Sequence, residues 1–143
     1  MIAVVALVGG CASTSTSWVS DPTDPNNVIV EKAIREELEK PTGKLTEADL
    51  EKVTRLSFRG KKLTEVPKGL EKLPQLTALH LGFNKLADVK GLEKLTQLTA
   101  LRLSGNQLTD VKGLEKLTAL TVLYLSYNKL TNVKGLEKLA QLK

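Results

Sequence analysis

Cysteine and histidine occur once each, as Cys11 and His80, so no intramolecular disulfide can form and no cluster of zinc-ligand spacing exists. Aromatic residues are almost as scarce: Trp18, Phe58, Phe83, Tyr124 and Tyr127 complete the set. No glycine-rich loop of the phosphate-binding type is present, because Gly9-Gly10 lies in an apolar leader and the other glycines mark regularly spaced turns. The apolar run at residues 2–8 is far shorter than the roughly 20 residues that span a bilayer. These absences argue against metal, nucleotide and disulfide chemistry, and no cofactor is expected.

Charge is present but uneven. Residues 1–52 hold 5 basic and 9 acidic residues, whereas residues 53–143 hold 16 basic and 7 acidic, so the second part carries the positive balance. That part is also repetitive. The pattern L-x-x-L-x-L-x-x-N-x-L begins at Leu76, Leu98 and Leu120, with a variant at Val53, and Asn84, Asn106 and Asn128 fall 22 residues apart. Within each unit the segment around Leu79, His80 and Leu81 alternates apolar and polar, which is the period of a half-buried strand. The heptapeptide VKGLEKL recurs at residues 89–95, 111–117 and 133–139, with VPKGLEKL at 66–73. It reads as a short turn or 3₁₀ segment with valine and leucine inward and Lys and Glu in water.

This pattern resembles the leucine-rich repeat family, and the 22-residue period resembles the short bacterial type found in internalins. The resemblance implies an α/β fold: a right-handed curved solenoid with a short parallel sheet on its concave face. One such unit cannot bury its own leucines, so stacking supplies the core. The family's asparagine hydrogen-bonds backbone of neighbouring turns, which implies the same for Asn84, Asn106 and Asn128. Lys61 stands at that place in the first unit and predicts a looser turn there. The resemblance also implies a helical cap over the open end of the leucine column. Val30, Ala33, Ile34 and Leu38 share one helical face within residues 28–40, with Asn27 as candidate N-cap and Pro41 and Gly43 as the stop. The segment Thr46 to Asp49 reads as a capping box, with Leu45 stapled to Leu50.

Upstream, the apolar run followed by Val8, Gly9, Gly10 and Cys11 resembles a bacterial lipobox. No Lys or Arg precedes Cys11, so either the natural start lies upstream or the likeness is accidental. The polar run after Cys11 reads as a tether. The expected organisation is a signal-peptide-like segment at 1–10, a lipidated Cys11 with flexible tether over 11–26, a helical cap at 27–52, and four repeats with the start of a fifth at 53–143. The lipid would anchor the chain to a membrane, and Ala12 in place of an acidic residue points to the outer rather than the inner bacterial membrane.

Scaffold positions repeat, so recognition is expected where they vary. The outward columns read Arg55, Ala78, Ala100, Val122; then Ser57, His80, Arg102, Tyr124; then Arg59, Gly82, Ser104, Ser126; then Gly60, Phe83, Gly105, Tyr127. Arg55, Arg59, His80, Phe83, Arg102, Tyr124 and Tyr127 are the candidate partner-binding residues, since aromatics and Arg most often anchor interfaces. Ser57 and His80 would sit one strand apart, but Arg102, next in the column, cannot orient an imidazole, and no Asp or Glu falls on the predicted strands. The chain therefore reads as a non-enzymatic module for a protein partner, with no nucleic-acid motif. An anionic polysaccharide bound through the basic repeats, or a fragment of a larger multidomain protein, are the alternatives.

Overall fold

The structure, a computed structural model, describes residues 23–143. Two helices, α1 (Pro25–Glu37) and α2 (Glu47–Leu50), precede four strands: β1 (Arg55–Ser57), β2 (Ala78–His80), β3 (Ala100–Arg102) and β4 (Val122–Tyr124). Each strand is followed by a 3₁₀ turn, at Leu70–Lys72, Leu92–Lys94, Leu114–Lys116 and Leu136–Lys138. The strands form one parallel sheet in the order β1-β2-β3-β4. Its register sets Ser57, His80, Arg102 and Tyr124 side by side, as the repeat spacing requires.

The leucines of each unit point under the sheet into one continuous core that runs from Val30 and Ile34 of α1 to Leu139. The asparagines hold the turns. Asn106 donates from Nδ2 to the carbonyls of Leu81 (3.0 Å) and Leu103 (2.8 Å), and its Oδ1 accepts the Leu86 N–H (3.0 Å). Asn84 and Asn128 repeat the arrangement, accepting from Leu63 and Leu108. Every asparagine thus satisfies backbone of the unit before it. Lys61 has no earlier turn to serve, and the Phe58 carbonyl receives Asn84 Nδ2 instead (2.9 Å). The first turn does differ, because Lys62 adopts positive φ (60°), which its equivalents Lys85, Gln107 and Lys129 do not.

The convex segments hold a second device. Gly69, Gly91, Gly113 and Gly135 sit at φ 90–103° and open the 3₁₀ turns. The glutamate two residues on folds back to accept each glycine N–H, at 3.0, 2.7, 2.6 and 2.6 Å. These glutamates were expected to face water beside the lysines. They do lie at the surface, Glu71 and Glu137 exposed and Glu93 and Glu115 partly so, and they cap the turns as well. Hydrogen bonds from their own backbone N–H, then from the glycine, lower the pKa of Glu115 and Glu137.

The cap corrects the expected boundaries. Asp24, rather than Asn27, caps α1: its carboxylate accepts the Asn26 N–H at 2.8 Å, and Pro25 takes the first helical position, where no N–H is missed. Asn27 donates its side-chain amide to Asp24 (3.1 Å). Helix α1 therefore includes residues 25 and 26, which were assigned to the tether. Residues 11–22 of that assignment, Cys11 included, and segment 1–10 lie outside the described residues, while Asp24 belongs to the helix cap. The helix stops before Pro41 and Gly43, because Glu39 turns into the left-handed region (φ 51°) while the Lys40 N–H reaches the Arg35 carbonyl (3.0 Å). Arg35 fixes this turn by donating to the carbonyls of Lys40 (3.2 Å) and Gly43 (2.9 Å). The capping box of α2 forms as expected between Thr46 and Asp49. A hydrogen bond from Lys40, then those from Thr46, hold the Asp49 carboxyl well below the usual carboxylate range. Leu45 and Leu50 are both buried in the core.

Candidate functional site

The concave face gathers five of the seven candidate residues. Arg59, His80, Phe83, Arg102 and Tyr124, with Ser104, line a groove of about 520 Å³. Its walls are stacked pairs. The Arg59 guanidinium lies 4.5 Å from the centroid of the Phe83 ring, and that of Arg102 lies 5.4 Å from the Tyr124 ring. Each contact stabilises by roughly 0.5–1 kcal/mol at an exposed site, but it also fixes where a long side chain points. His80 lies between them, half-buried. Burial, then the Arg102 charge, then that of Arg59 push its pKa below the ordinary histidine value, so the imidazole is neutral at pH 7.

Two missing side chains shape the groove. A Cβ on Gly82 would stand 3.0 Å from His80 Nε2 and 3.1 Å from the Ser104 carbonyl, so the imidazole occupies the space that a side chain would take. A Cβ on Gly105 would stand 3.0 Å from the Phe83 ring, so that ring lies against the backbone of the next unit. Gly82, Ser104 and Glu37 were not among the expected site residues. The legible signal was Gly82 itself, set in a column that otherwise reads Arg, Ser, Ser.

Backbone conformation singles out two aromatics. Gly60, Phe83, Gly105 and Tyr127 occupy equivalent positions, with φ of 66°, 58°, 71° and 57°. This left-handed region costs an L-residue roughly 1–2 kcal/mol and is outlying for a bulky side chain. Glycine meets the demand in two units, whereas the other two place an exposed ring there: Phe83 is 53% and Tyr127 86% exposed.

Arg55 and Tyr127 stand apart from the groove. Arg55 is paired with Glu37 of the cap (2.9 Å) and lines an adjoining hollow with Ser57, His80 and Arg102. Tyr127 projects beyond the groove lining. Ser57 and His80 are register partners, yet no hydrogen bond joins their side chains, and the charges acting on His80 are arginines. Among the described residues no His, Cys, Asp and Glu group could hold a metal ion, and no helix is long and apolar enough to cross a membrane.

Residues 51–108 match the family described as "Leucine rich repeat", and residues 96–143 match "Leucine Rich repeats (2 copies)". The chain is a leucine-rich repeat protein. The solved structures similar to it include an internalin (InlF) of Listeria monocytogenes, 30% identical, with a TM-score of 0.70 over 84% of this chain and 35% of the other. Internalin C2 of the same organism is also 30% identical, with a TM-score of 0.60 over 84% of this chain and 62% of the other. A leucine-rich repeat protein of Leptospira interrogans is 28% identical, with a TM-score of 0.62 over 68% of this chain and 26% of the other. The chain thus spans less than two thirds of the length of each. No curated protein matches it. Leucine-rich repeat proteins generally mediate protein–protein interaction.

Proposed function

We propose that this leucine-rich repeat protein is an envelope lipoprotein that binds a protein partner on its concave face. In this reading Cys11 carries the lipid, the residues after it form the tether, and the outer membrane is the anchoring site. One observation carries the concave assignment: Phe83 and Tyr127 are held, exposed, in a backbone conformation that their sister units give to glycine. Strain of this kind tends to gather at binding sites. Arg59, Arg102 and Tyr124 extend the same surface, and His80 supplies a polar contact between them.

The test begins by recovering a partner from envelope extracts with the full chain. Tyr124→Ala should then weaken binding by roughly 1–4 kcal/mol, the range for an interface anchor. Tyr127→Gly should weaken it comparably while folding stability stays within about 1 kcal/mol, since relief of strain offsets the entropy that glycine adds to the unfolded chain. If Lys112→Gln and Lys116→Gln abolish binding while the concave variants keep it, the contact belongs to the convex lysines, as an anionic polysaccharide would require. The anchor has its own check. Mass spectrometry of the membrane-extracted protein should find a lipidated Cys11 at the mature N-terminus, and an unmodified Cys11 or an intact Met1 would refute it.

A further inference from the structure

We infer that the groove between Arg59 and Arg102 receives carboxylate side chains from an acidic segment of the protein partner. This rests on the concave reading above and adds the chemistry of what is bound.

The arginines of this chain divide into two pairs. Arg35 and Arg55 are engaged by Glu31 and Glu37. Arg59 and Arg102 have no carboxylate within 4.0 Å among the described residues, whose ion pairs all lie elsewhere. The groove has no anion of its own to offer them. The acidic residues after Val53 all fall outside the strands. Four of them, Glu71, Glu93, Glu115 and Glu137, are turned onto glycine amides. Asp88 and Asp110 accept from the backbone of Lys90 and Lys112.

What remains in the groove is donors: two guanidinium groups, one N–H of a neutral imidazole, and the Ser104 hydroxyl. Neither guanidinium donates a hydrogen bond or forms an ion pair among the described residues, so each N–H edge is open, and that edge grips a carboxylate with two parallel hydrogen bonds. Stacking also orders these side chains before a ligand arrives, which lowers the entropy lost on binding. The exposed ring of Phe83 in the groove wall, with that of Tyr124 beside Arg102, fits apolar residues flanking an acid on a folded chain. That apolar rim favours a protein as carrier of the carboxylate over a polysaccharide.

The experiment uses the full chain and two carboxylate polymers, poly-L-glutamate and polygalacturonate, with affinities measured at fixed salt. Arg59→Gln with Arg102→Gln, and Lys112→Gln with Lys116→Gln, each remove two positive charges from opposite faces. The concave pair should lose at least about tenfold in affinity for poly-L-glutamate, and the convex pair less than about twofold, because only the former removes charge-assisted, forked contacts. Arg59→Lys with Arg102→Lys should also lose affinity, since it keeps charge but not the fork; full retention would overturn the carboxylate geometry. Equal losses on the two faces would overturn the site, and tighter, concave-dependent binding of polygalacturonate would overturn the partner class. If Tyr124→Ala and Tyr127→Gly abolish capture of the native partner while the concave arginine variants leave it intact, the concave reading stands and this inference falls.

Discussion

Leu101→Ala is expected to lower folding stability by roughly 2–5 kcal/mol, the range for emptying a buried leucine site. Leu101 is fully buried and lies in register between Leu79 and Leu123, so its side chain belongs to two unit–unit interfaces at once. The backbone on either side is fixed by sheet pairing and cannot close much of the cavity. Leu123 holds the equivalent place on β4 but is only partly buried, because among the described residues no strand pairs with β4 on its other side. Leu123→Ala should therefore cost less than about half as much, since less area returns to water. Urea denaturation followed by circular dichroism gives both values. Equal losses would contradict a core that deepens toward the middle of the array. Loosening the third unit should also uncouple the fourth, so the transition of Leu101→Ala should broaden as well as shift.

Asn106→Ala should be as damaging, though it removes little apolar surface. Its amide serves the carbonyls of Leu81 and Leu103 and the N–H of Leu86, all three in a turn that is 7% exposed at Asn106. Water cannot easily reach what is left, and each unsatisfied buried group costs about 1–3 kcal/mol. The expected loss is about 3 kcal/mol or more. Asn106→Asp separates hydrogen bonding from packing. It keeps the size and one acceptor, but it turns the donor of two hydrogen bonds into an oxygen facing two carbonyl oxygens. At neutral pH it should lose at least as much as the alanine variant. Near-normal stability of Asn106→Asp in the same denaturation experiment would show that the turn needs bulk rather than donors.

What was legible followed from repetition. The strands, their register, the asparagine ladder and the 3₁₀ turns could be read because three copies of one pattern cross-check each other, and Thr46 with Asp49 form a box whose spacing is its own signature. The misreadings lie where a single local contest is decided by a neighbour. Asn27 and Asp24 are both good N-caps, and Pro25 settles the matter by favouring the first helical position. Glu39 closes α1 in a conformation that composition assigns to glycine, because Arg35 grips the following loop. The convex glutamates were read as surface charge, which they are, but their second role as turn caps was not legible. Their hydrogen bonds to glycine amides depend on a backbone twist that charge patterning does not report. The candidate site was legible as a list of side chains but not as an arrangement. The pairing of Arg55 with Glu37 and the space at Gly82 both require three dimensions.

The asparagine ladder also gives the array a direction. Each unit's turn is completed by the amide of its successor, while the cap secures the first unit from the other side. Among the described residues burial is deepest in the middle units: Leu79, Leu86, Leu101 and Leu108 are buried, whereas Leu63 of the first unit and Leu123, Leu125 and Leu130 of the fourth are only partly so. Tyr124 and Tyr127 stand on the fourth unit, among these partly buried leucines. A partner that grips them together with Arg102 would tie the fourth unit to the third, so part of its binding energy would appear as added order in the repeat array. Recognition and the ordering of the fourth unit would then be one event.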